Sequence, residues 1–549
     1  MKYKNMCNRL AVVLLSGAMV IGSLTGCGDA KVETQTANNT SESAQPENIT
    51  SESVVEKKEP VELTYYGDIG AASSTLTNLS EMEIMQMADE KCNTKVTFNH
   101  PAYGTEKETF NLKLSSGEFE DIIEYNWSTY AGGPIQAIND GVIIDLAPYI
   151  EAGLAPNFKK ILDERPELLS QISTDQGQIY AFPAIGDPSV NTTSGFIIRE
   201  DMLKAVGMEK PETIAEWEAV LTAFKEQLGV EAPYTCNSGS LIGGSTWFAG
   251  AFGTTASYYL KDGKVQYGCI TDEFKAYIET MARWYKNGLI DQNAFGNDTK
   301  TMQSNLLNDK AGAIFSSIGG GIGTYTNNAK ANENSNPDFK LAAVQYPVLN
   351  KGDEPEFLYR SWDVRPANQA AISTSCEDIE AAIAYLDFWY SEEGHMLKNF
   401  GIEGLTYELV NGEPVYTDLI LKNPDGLSIS QALGRYMRVN KPTVGRIDAR
   451  YYEQYYQLEE QVQAMYIWNE YADNALNVLM PSVTLTSAEA EELAALEGVL
   501  TTYVAEELTK FIMGTRDMSE YDAFVETVKG MGIERCIEIK QAAYERYQR

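Results

Sequence analysis

Histidine is nearly missing from this chain: only His100 and His395 occur in 549 residues. A catalytic zinc built on several imidazoles is therefore excluded for practical purposes, and each histidine reads as an ordinary surface or helix residue. Cysteine is scarce too. Beyond Cys7 and Cys27, the chain has only Cys92, Cys236, Cys269, Cys376 and Cys536, scattered and without a CxxC pair. Neither a zinc ribbon nor a thioredoxin-like site fits that spacing; one or two disulfides and buried free thiols both remain open. Positive charge is outnumbered, with 43 Lys and Arg against 78 Asp and Glu, for a net charge of −35. Such a polyanion repels phosphate backbones, which excludes nucleic acid as a partner and disfavours strongly anionic ligands outside a local basic pocket. No apolar run after the first 26 residues reaches the about 20 residues of a membrane-spanning helix. There is no G-x-S-x-G and no H-E-x-x-H. The glycine-rich stretch Ser316 to Tyr325 lacks both the Gly-Lys-Ser/Thr of a phosphate loop and a G-x-G-x-x-G, and reads as a flexible cleft edge. Asp291 to Gly296 begins like a calcium loop, but Phe295 and Met302 stand where ligands should be. No cofactor and no metal are expected.

What is present starts at the amino terminus. Lys2, Lys4 and Arg9, without an acid, precede an apolar stretch from Leu10 to Ile21 and then Leu24-Thr25-Gly26-Cys27. That order is an export signal rather than a fold element. Leu24-Thr25-Gly26-Cys27 resembles the lipobox of bacterial lipoproteins, which implies cleavage before Cys27, a thioether-linked diacylglycerol on its sulfur and, in some bacteria, acylation of the new amino terminus. Two or more acyl chains anchor firmly where one binds marginally. Gly28 to Pro60 is rich in Ser, Thr, Asn, Gln and Glu, has no aromatic residue and cannot bury a core. It reads as a tether with a reach of roughly 30 Å. The expected division is a leader over 1–26, a lipidated cysteine and tether over 27–60, and an extracytoplasmic body held by its lipid to the outer face of the cell membrane.

The body from Val61 onward alternates strand and helix patterns. Val61 to Tyr66 reads as a strand ending at Gly67-Asp68, Glu81 to Cys92 as a helix, Lys95 to Asn99 as a strand, Thr105 to Ser115 as a helix, and Phe119 to Ile123 as a short strand before Trp127. This alternation predicts α/β lobes with a mostly parallel sheet. Ligands of such sheets bind beyond the carboxyl ends of strands, where Asp68 and Trp127 lie.

Several later stretches carry a resemblance, in order. Gln178 to Ala184 and Ser194 to Leu203 are followed by Met208 to Trp217. Tyr285-Lys286-Asn287-Gly288-Leu289-Ile290-Asp291 closes a helix from Glu273. Asn308 to Phe315, Ala371-Ile372-Ser373, the helix Ile379 to Tyr390 and Gly401 to Tyr407 come next, and the tail runs from Phe511 to Tyr547. Together these resemble the family 1 extracellular solute-binding proteins of ABC transporters, and within them the LplA-like lipoprotein subgroup. The resemblance implies a type II periplasmic-binding-protein-like fold, two α/β lobes with a ligand cleft between them. The crossings are expected near Pro183, Tyr346 and Ser373, giving 61–183 with 344–374 as lobe 1 and 184–343 with 375–549 as lobe 2. Some alginate-binding relatives carry a calcium loop after the helix matching Ile214 to Glu226; here Gly229 to Pro233 lacks the repeated acids.

A sugar receptor needs flat apolar rings for pyranose faces and fixed polar groups for hydroxyls. Burying about 100 Å² of ring face at ~25 cal/mol per Å² is worth roughly 2.5 kcal/mol. The candidates are Tyr66 and Asp68 at the end of the first strand, Trp127 with Tyr130, Trp247 and Phe248 after the glycine loop 239–245, Tyr325, and the run Arg360-Ser361-Trp362-Asp363. Trp217, Trp284 and Trp389 fall at core-like helical spacing. The leading expectation is a non-catalytic, monomeric receptor for a carbohydrate, most plainly an oligosaccharide, that closes around it and presents it to the transmembrane subunits of an ABC permease. The alternatives are an exported carbohydrate-active enzyme such as a glycoside hydrolase, and a receptor for a non-sugar solute such as a peptide.

Overall fold

The computed structural model describes residues 59–102, 104–332, 336–361, 363–441 and 443–548. The leader, Cys27, most of the tether and Trp362 lie outside the described residues. None of the helices it describes is long and apolar enough to cross a membrane.

The strands in chain order are Val61–Tyr66 (β1), Thr94–Asn99 (β2), Ile122–Tyr125 (β3), Phe182–Ile185 (β4), Ser194–Arg199 (β5), Tyr258–Lys261 (β6), Lys264–Tyr267 (β7), Ala313–Ser317 (β8), Leu341–Val344 (β9), Val364–Ile372 (β10), Tyr407–Val410 (β11), Glu413–Tyr416 (β12) and Gly445–Arg446 (β13). The first sheet has the order β13-β4-β10-β3-β1-β2. β1 runs parallel to β2, with Val61 opposite Thr94, and parallel to β3, with Tyr65 opposite Ile122. β10 enters antiparallel between β3 and β4, with a bulge between Arg365 and Ala370 where Asn368 takes φ +55. The second sheet, β8-β5-β9, places β5 antiparallel to both neighbours. The expected parallel character therefore holds for β1, β2 and β3 and fails for β5 and β10, because both are returning strands rather than members of a β-helix-β unit.

Caps explain where helices start. Ile214–Leu228 begins at Thr213, whose hydroxyl accepts from the Glu216 amide while the Glu216 carboxylate accepts back from Thr213, and it ends at Gly229 with φ +71. In β5, Gly195 lies directly under the indole of Trp468; a Cβ there would come within 2.4 Å of the ring. The Trp468 Nε1 donates to the Val344 carbonyl at 2.9 Å, which fixes the helix Glu459–Asn469 on the second sheet.

Two bodies of buried apolar side chains result. One is drawn from Leu63 to Ile185 and from Val364 to Tyr451, the other from Val190 to Leu358 and from Tyr456 to Ile539. Residues 375–451 thus pack in the first core, not with 184–343 as expected. The helix Ile379–Phe388 folds back on β10 and on the helix Glu83–Cys92, so the chain does not leave the first lobe at Ser373. Its third passage falls at Tyr452 and Tyr455, whose rings touch both cores.

The segment before that passage is gripped by one helix, Glu392–Asn399. Lys398 is fully buried and donates its ammonium to the carbonyls of Thr443, Val444 and Gly445 at 2.7, 2.8 and 3.1 Å. Asn399 accepts from the Asp448 amide at 3.0 Å and donates to the Arg446 carbonyl at 2.9 Å, and His395 Nε2 lies 3.0 Å from Asp448. Burial opposes ionisation of Asp448, yet its bonds to His395 and Arg450 hold it well below the usual carboxylate range. The five cysteines among the described residues are free thiols.

Candidate ligand site at the lobe crossings

The passages between the cores bring together side chains that are distant in sequence. Asn237 caps the short helix Ser238–Ile242, and the chain then turns through glycines to present Trp247. The indole stacks on Phe315 of β8 at 5.7 Å and meets Tyr346 and Tyr359 edge-on at 6.2 and 6.0 Å. Tyr346 is pinned by its hydroxyl, which donates to the Ser194 carbonyl at 2.7 Å and accepts from the Tyr359 amide at 3.2 Å. Trp247, Phe315 and Tyr359 keep part of their surface exposed. From the third passage come Tyr452 and Tyr455, in a ladder of rings with Tyr451 and Tyr456; Gly319 lies 3.5 Å from the Tyr455 ring at the point where a Cβ would stand.

Charges line the same junction. Asp363 pairs with Arg165 at 3.1 Å and with Arg360 at 3.6 Å, and accepts from Asn191 at 3.3 Å. Arg360 also reaches Asp473 at 3.5 Å. Asp187 accepts from Ser189 and from the Ala449 amide, tying the first passage to the third. The Arg365 guanidinium lies over Gly186, where a Cβ would be 2.9 Å from Nη2. Burial pulls its pKa down, against the favourable fields of Tyr452, Tyr359 and Asp363. Trp247 Nε1, Arg360 Nε, Arg365 Nη1 and Arg446 Nε are buried donors without an acceptor among the described residues. Each such orphan costs about 1–3 kcal/mol. Three of them, on Trp247, Arg360 and Arg365, gather near half-exposed aromatic rings, an arrangement that an incoming oxygen-rich molecule would complete.

Across the start of β10 lies a cavity of about 220 Å³, walled by Tyr130, Pro134, Tyr180, Val364, Pro366 and Gln369 on one side and by Ser482 to Leu485 on the other. Bonds between the lobes frame it: Arg546 to Asp175 at 2.7 Å, the Asp175 amide to Thr484 at 3.2 Å, and Ser487 to Gln136 at 2.8 Å; within the second lobe Arg546 also pairs with Glu489 at 2.6 Å.

The expected site residues divide. Trp247, Arg360 and Asp363 come together at the junction, and Tyr130 lines the cavity with its hydroxyl bonded to Asp140 at 2.8 Å. Burial first, and Asp140 next, push the Tyr130 hydroxyl up to about 12. Asp68 is engaged by the Gly70 amide at 2.8 Å and by Lys441 at 3.5 Å. Four others are core residues. Trp127 is 0% exposed, boxed by Phe110 and Tyr125, its Nε1 bonded to the Gln369 carbonyl at 3.0 Å. Tyr66 packs beside it under Lys113. Phe248 sits among Phe196, Trp217, Tyr234 and Trp284. Tyr325 is buried at the end of the glycine stretch, which is tightly packed rather than a flexible edge: a Cβ at Gly323 would come within 2.4 Å of Gln461. Phe315, Tyr359, Arg365, Tyr452 and Tyr455 were missed, although four tyrosines in the six residues 451–456 were a visible signal.

Among the described residues no group of three or more His, Cys, Asp and Glu is placed to hold a metal. The Asp291 carboxylate is instead filled by neutral donors, Thr235 at 3.0 Å, Asn297 at 2.8 Å and Asn305 at 2.9 Å.

The profile of the bacterial extracellular solute-binding proteins matches residues 75–396, more than half of the chain. The chain belongs to that family. Over 507 residues this family member is 24% identical to the fructooligosaccharide ABC transporter substrate-binding protein FusA of Streptococcus pneumoniae serotype 4, spanning 87% of this chain and 89% of that one. It is 24% identical over 440 residues to the lipoprotein LipO of Bacillus subtilis strain 168, spanning 77% and 81%. An HMO-binding, ABC-transporter-associated solute-binding protein from Bifidobacterium longum infantis has the same two-lobe fold, with a TM-score of 0.71 at 17% identity over 89% of this chain and 99% of that one.

Proposed function

We propose that this protein is the oligosaccharide-capturing component of an ABC importer, with the sugar held at the lobe crossings against Trp247, Tyr359, Tyr452 and Arg365. The observation that carries the reading is the set of buried donors on Trp247, Arg360 and Arg365, without acceptors among the described residues, beside partly exposed aromatic rings. Sugar hydroxyls supply acceptors for those N–H groups, and the rings supply the flat apolar faces. The relatives named as binding fructooligosaccharides and HMO support the same ligand class. Ligand bridging both lobes stabilises the closed form by its differential contacts, and that form is what the permease reads. Titration calorimetry with short oligosaccharides tests this. The expected result is binding of one sugar per chain that Arg365→Ala weakens at least tenfold, with the sugar recovered unchanged after long incubation; full affinity in Arg365→Ala, or turnover of the sugar, would count against it.

The same reading places the working protein outside the cell as a single copy, attached through lipid on Cys27. Replacing Cys27 with serine is expected to release the protein into the medium, read by fractionation and by the mass of the mature amino terminus.

A further inference from the structure

Val364 and Pro366 line the cavity on β10, while Arg365 between them faces the tyrosines of the third passage. Alternation along a strand puts these on opposite sides, so the start of β10 divides the cavity from the aromatic junction. Both spaces adjoin the same strand end. The cavity wall is made of hydroxyls, amides and apolar groups. No Asp, Glu, Lys, Arg or His lines it among the described residues. Of the charges nearby, Asp175 and Glu489 are paired with Arg546, Asp140 accepts from Tyr130, and Arg365 points to the opposite side of β10. A carboxylate entering this space would lose its water and find no counter-charge, whereas an uncharged ring would find hydroxyl and amide partners. The space, about 220 Å³, takes several waters or one hexose-sized unit.

We infer that this cavity is an end pocket of the ligand site, which takes one uncharged terminal sugar unit and rejects an acidic one. Its second wall, Ser482 to Leu485, comes from the carboxyl-terminal part of the chain. The inference rests on the oligosaccharide reading above.

The test compares neutral short oligosaccharides with the same chains ending in a uronate, by calorimetry, on the full chain and three variants. The unmodified protein is expected to favour the neutral chains at least tenfold. Ser482, exposed at the rim, is changed to Trp to fill the pocket and is expected to lose about tenfold for neutral chains with an unchanged thermal midpoint. Ser482→Lys supplies the missing counter-charge and is expected to raise the affinity for uronate-ended chains relative to neutral ones. Equal affinity of the unmodified protein for both sets, or no response of either Ser482 variant while Arg365→Ala weakens binding, overturns the end pocket and leaves the crossing site standing. Unchanged binding in Arg365→Ala overturns the crossing site itself.

Discussion

Trp127 and Trp247 look alike in sequence, each in a polar loop between secondary-structure elements, and the two lobes use them in opposite ways. In the first lobe, β10 arrives from far along the chain and offers the Gln369 carbonyl to the Trp127 indole, while Phe110 and Tyr125 close over its faces. In the second lobe, Trp247 meets rings on one face and along its edges, keeps an open part, and its N–H finds no acceptor among the described residues. Trp127 has its hydrogen bond made and no exposed surface, whereas Trp247 combines an N–H without an acceptor among the described residues with an open face; the open face is what separates it from Trp217, whose N–H also lacks an acceptor there but which is fully buried. Loop position alone does not separate the two.

The sharpest way to break this comparison is to truncate both. Trp127→Ala should lose about 3–5 kcal/mol of stability, as for other buried tryptophans, seen as a lower denaturation midpoint, with ligand affinity retained by the folded fraction. Trp247→Ala should do the reverse. Losing a stacked face worth roughly 2.5 kcal/mol weakens sugar binding roughly 60-fold in calorimetry, with a smaller cost in stability. If the two variants show the same balance, the contrast is wrong. Trp247→Phe, which keeps one ring and loses the pyrrole part with its N–H, should cost less than the alanine variant, about 0.5–1.5 kcal/mol for the hydrogen bond and a further share for the smaller face.

The smallest expected effect concerns His100, beside the first lobe's strand ends. Its Nδ1–H donates to the Gly67 carbonyl at 2.7 Å and its Nε2 accepts from the Leu79 amide at 3.2 Å, so both nitrogens are satisfied only in the neutral ring. Burial lowers its pKa below 6.5. A depressed folded pKa means that the unfolded chain takes up the proton first. The stabilisation is therefore complete above pH 6.5 and is lost as pH falls from there to the lowered folded value. Urea denaturation at a series of pH values should show this decline, and His100→Gln should make it shallower.

Local pattern carried much of the fold. Val61–Tyr66 alternates as far as Tyr65 before Tyr66 is buried on the other face, and Thr213 with Glu216 announces its helix. The antiparallel placement of β10 and the true third passage were not legible, because they depend on which core the helix Ile379–Phe388 packs against, a non-local choice with no local mark. The site was legible in part for the same reason. Arg360, Asp363 and Trp247 stood out as residue types beside polar loops, whereas Arg365 sits inside a strand and matters only because Gly186 lets its guanidinium settle over the neighbouring passage. Tyr66 and Phe248 had the right chemistry for a sugar and the wrong surroundings.

The interleaving of β10 has a consequence for how the chain is made. The first sheet has a gap between β3 and β4 until residue 372 has been delivered, and lacks its edge until residue 446. The indole of Trp127 waits 242 positions for its acceptor. A chain so wired cannot finish its amino-terminal half while the rest is still being synthesised, and long-range pairings of this sort form slowly. That order leaves the first lobe unfinished until residue 446 has left the ribosome.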